Sequence, residues 1–427
     1  MNILMMTNTY LPHVGGVARS VESFTHEYRK RGHRVIVVAP EFEHVPEDEV
    51  DIIRLPAIQR FNGSDFSVVL PLPRFLSAAI EQFKPDIIHS HHPFLVGSTA
   101  LRVAHVYELP LVFTHHTMYE QYTHYVPGDS AAMKRFAIKL ATHYANMCDR
   151  VFAPSESVAM VLSERGVKAP VSVVPTGVHL DRFTQGSGSG FRKIIGIAEN
   201  AFLIGHIGRL APEKNLIFLA EALSAFLKSE SNAHVLMAGI GSAVEVIQRI
   251  FDRQGVADRL HMVGILEHPL LASAYRAMDV FAFASKSETQ GLVLAEAMAA
   301  GVPVVALDAP GVREVVVDGH NGKLLYSEDI EDYLTALRWV QSHAGDKPLQ
   351  DAVKETAELF SIEHTADKAL SHYTQLLEQS FIQRREQYHA WQGMLRLIES
   401  EWAVLKGVTK AASAALQEGD AKDQSTQ

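Results

Sequence analysis

Short runs of apolar and β-branched residues recur along most of this chain, each followed by a stretch with helical periodicity. No other feature restricts its fold as strongly. In the first half the runs are Asn2–Thr7, Arg34–Ala39, Asp51–Leu55, Asp86–Ser90, Leu111–Thr114, Arg150–Ala153 and Val171–Val174. In the second half they are Phe202–Ile207, His234–Ala238, His261–Val263, Val280–Ala284, Val302–Ala306 and Gly322–Leu325. Strands apolar along their whole length are buried on both faces, which means parallel sheets covered by helices. Two such series predict an α/β protein of two doubly wound, Rossmann-like domains. The length of 427 residues also exceeds what one core usually organises.

Between the two series lies Thr184-Gln185-Gly186-Ser187-Gly188-Ser189-Gly190, with the composition of a flexible linker. The expected division is therefore a first domain over residues 1–184 and a second over 191–365. Strands then cease. Trp391, Leu395, Ile398, Trp402 and Leu405 recur at helical spacing, so residues 366–417 are expected to form C-terminal helices, followed by a polar tail over 418–427. A hinge between two parallel-sheet domains directs attention to the cleft it opens, since ligands sit beyond the carboxyl ends of parallel strands.

A net charge of −10 argues against a nucleic-acid binder. One cysteine, Cys148, excludes an intramolecular disulfide and fits a reducing compartment. The N-terminal run lacks the basic start and long apolar stretch of a secretory signal, and no segment is apolar for the length of a membrane span. A cytoplasmic protein is expected, with peripheral contact to the inner face of the cell membrane left open.

Chemistry-bearing residues gather where strands end. Gly15-Gly16 follows the first strand and precedes a helix; paired glycines let backbone approach a phosphate at a helix start, although a tight turn would also use them. Gly208-Arg209 to Glu213-Lys214 follows the first strand of the second half, placing two cations where a diphosphate could sit. Glu288 precedes a helix expected from Gly291 to Ala300, and Glu296 lies more than one turn inside it. The amides of Gly291, Leu292 and Val293 would face an anion at that helix start. Glu288 as a dipole partner and Glu296 on a solvated face are equally compatible with the spacing. Two histidine clusters, His89-Ser90-His91-His92 and His115-His116, end first-half strands. They lack zinc-site spacing, and no D-x-D pair follows a strand, so no metal requirement is expected.

In this order the elements resemble the family 4 glycosyltransferases, whose GT-B fold has two Rossmann-like domains. The resemblance covers roughly residues 1–375. It implies no cofactor, a nucleotide-sugar donor as substrate, and a lipid or glycan acceptor. It assigns Gly16, Arg209, Lys214, Leu292 and Val293 to the donor diphosphate, and His116 and Glu288 to the transferring sugar. Glu296 falls to the ribose, and transfer is expected to retain the anomeric configuration. The C-terminal helices would cross back onto the first domain.

The Glu288-Thr289-Gln290-Gly291 version, with His91-His92-Pro93-Phe94 and His116-Thr117-Met118-Tyr119-Glu120, is similar to bacterial diacylglycerol α-glucosyltransferases. UDP-glucose as donor, a diacylglycerol acceptor and contact with anionic membrane follow as expectations. Phe66, Val68, Val69, Leu70, Leu72, Phe75 and Leu76 around Arg74, or Lys134, Arg135 and Lys139, would supply that contact unless they simply belong to core-facing helices. A mannosyl- or other glycosyltransferase of surface polysaccharide, and a non-catalytic sugar-nucleotide-binding protein, are the alternatives.

Overall fold

The computed structural model describes residues 1–379, apart from 14, 43–44, 46–48, 59–67, 70–73, 122–130 and 287. The apolar runs become two parallel sheets. The first contains β1 (Asn2–Met6), β2 (Arg34–Pro40), β3 (Ile52–Leu55), β6 (Ile87–Ser90), β7 (Leu111–Thr114), β8 (Arg150–Ala153) and β9 (Val171–Val173), in the order β3-β2-β1-β6-β7-β8-β9. A short antiparallel pair, β4 (Ala57–Ile58) and β5 (Val68–Val69), stands apart from it. The second sheet contains β10 (Phe202–Ile207), β11 (Ala233–Ala238), β12 (Leu260–Met262), β13 (Val280–Phe283), β14 (Val304–Leu307) and β15 (Gly322–Leu325), in the order β12-β11-β10-β13-β14-β15. All pairings within both sheets are parallel.

Strand order reverses between β1 and β6 in the first sheet and between β10 and β13 in the second. Loops leaving adjacent strands at such a point diverge to opposite faces and leave a crevice. The segments after β1, β6, β10 and β13 carry the glycine pair, His91-His92, the two cations and Glu288, and His115-His116 follow the adjacent β7.

Helices cover both faces. Those that matter for the cleft are α1 (Gly16–Lys30), α2 (Arg74–Phe83), α3 (Val96–Val106), α4 (Ala131–Ala145), α5 (Glu156–Glu164), α6 (Leu180–Thr184), α7 (Gly188–Ile194), α8 (Leu216–Ser229), α9 (Val244–Gln254), α10 (Leu270–Ala277) and α11 (Leu292–Ala299). Helices α12 (Ile330–His343), α13 (Lys347–Leu359) and α14 (Ile362–Glu378) complete the described chain. Several helices begin with a side-chain cap, as the first orphan amides require. The Ser155 hydroxyl accepts from Val158 N, the Asp329 carboxylate from Asp332 N, and the Ser361 hydroxyl from His364 N.

The Gly/Ser-rich stretch is not a loose tether. Thr184 ends α6 and Ser187 caps α7, its hydroxyl accepting from Gly190 N at 2.9 Å. A Cβ on Gly188 would lie 2.3 Å from the Arg276 carbonyl oxygen, so glycine here allows α7 to seat on α10. Composition signalled flexibility; the glycines serve close packing instead. The chain passes from first sheet to second through residues 174–179. It returns at 360–362, where Val178 N donates to Phe360 O and Ile362 N to Val178 O, at 2.8 and 2.9 Å. A Cβ on Gly177 would sit 2.3 Å from Ile362 Cα.

After that return, α14 packs against α1, and Ile362, Ala366, Ala369, Tyr373 and Leu376 join the core formed by β1, β2 and α1. Each large side chain so buried contributes about 1.5–3 kcal/mol. The Trp391–Leu405 helical pattern, like all of 380–427, lies outside the described residues. Leu76, grouped above with a membrane-facing surface, is fully buried in the first-domain core, whereas Phe66, Leu70 and Leu72 lie outside the described residues. Lys134, Arg135 and Lys139 are exposed on α4. Among the described residues no helix is long and apolar enough to cross a membrane.

Candidate active site

Five strand ends build the site. After β1, Gly15 adopts extended backbone and α1 starts at Gly16 with no side-chain cap. Neither glycine needs a left-handed conformation, and among the described residues outside its own helix a Cβ on Gly16 would meet no atom within 4 Å. The space in front of Gly16 is open, and the uncapped amides of the first turn face it with the positive end of the helix dipole.

After β6 and β7 come the imidazoles, and they divide into structural and exposed members. His92 is buried; its Nδ1 accepts from Asn8 N at 3.0 Å, tying the loop after β1 to the loop after β6. Asn8 completes that join: its side chain accepts from Val96 N and donates to Phe94 O. His89 is also buried, bonded to Thr114 Oγ1 at 2.7 Å and to the Tyr373 hydroxyl of α14 at 2.6 Å. His115 turns into the core against Phe113 and Tyr119. His116 is partly exposed, and its Nε2 lies 2.9 Å from Nδ1 of the buried His91, with the two rings stacked at 5.2 Å. Desolvation, with the neighbouring imidazoles, drives His91 and His116 well below the ordinary histidine range, which favours neutral rings joined by one N–H···N bond.

In the second domain, β10 and β13 are the neighbours at which strand order reverses, so the loops that follow them flank one crevice. Pro212–Lys214 forms a single tight turn closed by Asn215 in the left-handed region. That turn brings Lys214 Nζ to 2.9 Å from Glu288 Oε2, both side chains 19% exposed. The sequence reading set these two residues on different parts of a ligand; the fold makes them direct partners. Arg209 pairs with Glu213 at 2.6 Å and is about half exposed.

Gly291, in the left-handed region, starts α11 without a side-chain cap, leaving Leu292 and Val293 at the first turn. Glu296 does not lie on a solvated face. It is 8% exposed, and its Oε2 accepts from the Tyr275 hydroxyl of α10 at 2.8 Å. Burial raises its carboxyl above the ordinary range, while the Tyr275 bond and the charge of Arg19 pull it partly back.

Arg19 is a site residue the sequence reading missed. It is exposed on α1, one turn from Glu22 and Ser23, and those residues meet the end of the crossover and α6, which packs on α10 and α11 of the second domain: Glu22 lies 3.8 Å from Arg182, and Ser23 Oγ 3.0 Å from His179 Nε2. Arg19 lies close enough to Glu296 for its charge to act on that carboxyl. Ile240 and Ile265, exposed just beyond β11 and β12, were likewise not singled out. Among the described residues no three histidine, cysteine or carboxylate side chains converge as a metal site would require.

Two Rossmann-like domains that turn uncapped helix starts, cations and carboxylates toward one another form an arrangement suited to an anionic, nucleotide-type ligand. Comparison with known proteins narrows the class. The model described as Glycosyltransferase Family 4 matches residues 14–182, and Glycosyl transferases group 1 matches 190–359. The alpha-monoglucosyldiacylglycerol synthase of Streptococcus pneumoniae is 31% identical over 337 residues, 77% of this chain and 76% of that protein. A GDP-mannose-dependent alpha-mannosyltransferase of Corynebacterium glutamicum is 26% identical, covering 88% of this chain and 89% of that protein. In fold, Anabaena HepE in complex with UDP superposes with a TM-score of 0.70 at 19% identity, covering 88% of this chain and all of that one. The chain belongs to this glycosyltransferase family and has the GT-B fold.

Proposed function

We propose that the chain moves glucose from UDP-glucose to a diacylglycerol-type lipid with retention of configuration. The observation that carries the reading is the Lys214–Glu288 ion pair beside the uncapped start of α11, across the cleft from Gly16 and Arg19. In this reading the donor pyrophosphate lies between the α1 and α11 helix starts. Lys214 and Arg209 neutralise charge as it develops on the departing nucleotide diphosphate. Glu288, its charge balanced by Lys214, orients sugar hydroxyls rather than attacking the anomeric carbon. Glu296, held by Tyr275, takes the ribose hydroxyls.

Neutral His116, fixed by His91, offers a hydrogen bond to the transferring sugar. Attack by the acceptor on the face the nucleotide leaves needs positioning and electrostatic stabilisation, not a protein nucleophile. The reaction then needs no metal ion, and the protein acts from the cytoplasm at an anionic membrane surface, with exposed Lys134, Arg135 and Lys139 toward the lipid.

The lipid acceptor is supported by the relatives named for diacylglycerol glucosylation, of which the Acholeplasma laidlawii protein is 29% identical over 75% of this chain. Transfer of mannose from GDP-mannose to a glycan is the second reading, favoured by the longer span of the Corynebacterium match.

The test is a radiolabel assay with purified protein and chelator present. UDP-glucose and GDP-mannose are each offered with diacylglycerol in anionic vesicles and with soluble glycans. Labelled glucosyl lipid is the expected product. Mannosyl transfer to a glycan alone would replace the first reading with the second, and no transfer from any donor would remove both.

A further inference from the structure

The loop that carries Glu288 is anchored to the crossover between the domains by one side chain. Gln290 is 6% exposed; its Oε1 accepts from Thr176 N at 2.7 Å, and its Nε2 donates to Thr176 O at 2.6 Å. An amide that meets one backbone N–H and one C=O can satisfy both in only one orientation, so its placement is defined. Thr176 lies in the first of the two crossover segments, next to Gly177 where Ile362 leaves no room for a Cβ. The Thr176 hydroxyl in turn donates to Ser20 Oγ, at 3.2 Å, on α1 one turn beyond Gly16. On its other side the loop has no slack: a Cβ on Gly311 would fall 2.5 Å from Gln290 N.

A polar relay therefore runs from the residue preceding the α11 cap, through the crossover backbone, to the helix that follows the glycine turn. We propose that Gln290 is a positioning residue, which locks the angle between the domains so that the α1 and α11 helix starts meet one donor pyrophosphate. Gln290 touches no donor atom itself in this arrangement. It acts through Thr176 and Ser20, and it passes any shift of the loop on donor binding into the crossover. Ser157 N, bonded to Glu314 Oε1 at 2.8 Å, is another tie between the domains, but it bypasses the crossover and ends on α5.

The inference rests on the nucleotide-sugar reading above, and the experiment separates the two. Gln290→Met keeps the length of the side chain and removes both hydrogen bonds; Ser20→Ala cuts the relay at its far end. Donor KM, acceptor KM, kcat, melting temperature and UDP-induced compaction by X-ray scattering are measured for the wild type, both variants and the double variant. Donor KM is expected to rise roughly tenfold in Gln290→Met and less in Ser20→Ala. Acceptor KM should hold, and compaction should be lost in Gln290→Met.

The double variant should be no worse than Gln290→Met, the non-additivity of one connected network. Unchanged donor KM with only a lowered melting temperature, or strictly additive effects, would reduce Gln290 to a packing residue and leave the transferase reading intact. A wild type that binds neither UDP nor GDP and transfers from no donor would overturn the reading and the relay together.

Discussion

Gly16 and Gly177 show how differently two glycines of one chain act. Gly16 faces open cleft without backbone strain, so Gly16→Ala is expected to leave thermal stability unchanged while weakening UDP binding measured by calorimetry. Gly177 faces the Ile362 backbone, so Gly177→Ala should lower stability to denaturant by about 1–3 kcal/mol through overpacking. The paired Lys214 and Glu288 give a second contrast. Lys214→Met should lower kcat by about 10²–10³-fold, as expected for a group that stabilises developing charge. If kcat held and only donor KM rose, Lys214 would bind ground state and transition state alike. The positions of these residues at strand ends were legible in the sequence because apolar runs reveal where strands stop. Their partners were not. Nothing in the spacing of Glu296 announces Tyr275, which arrives from another helix, and Arg19 sits on a helix face without a motif.

Among the elements, buried strands were the easiest to read, since β1, β10 and β13 are mostly apolar and no helix periodicity competes. The Gly/Ser stretch before and within α7 was misread because composition does not distinguish a glycine that is mobile from one pressed against a neighbour. Gly188→Ala discriminates between the two: a tether would tolerate it, whereas the 2.3 Å approach to the Arg276 carbonyl predicts a lowered melting temperature. The crossover at 174–179 carries only Pro175 and Gly177, which mark a turn and not a passage between domains, and nothing signalled the role of Gln290. Both depend on segments far apart in sequence meeting at Val178 and Ser361.

The whole molecule carries a large burden of neutral imidazole. Burial pushes His89 and His92 down to about 3, and His115 and His206 to about 4, from an ordinary value of about 6.5. The unfolded chain therefore binds more protons than the folded one below pH 6.5. Stability is fully present above that pH and is lost as pH falls toward the depressed values, by on the order of 1 kcal/mol per unit for each histidine. Acid unfolding followed by circular dichroism should begin near pH 6 and advance steeply toward pH 4. A flat profile across that window would show that the imidazoles can charge in place.

The path of α14 bears on how the protein is made. The first domain occupies the earliest-synthesised part of the chain, yet Ile362, Tyr373 and Leu376 complete its interior, and Tyr373 binds His89. A ribosome that has released only residues 1–178 has produced a sheet whose α1 face lacks the part of its cover that α14 supplies. Nascent chains stalled before residue 360 should stay susceptible to protease, with protection arriving only after α14 has cleared the exit tunnel. In translation the half that begins first is finished last.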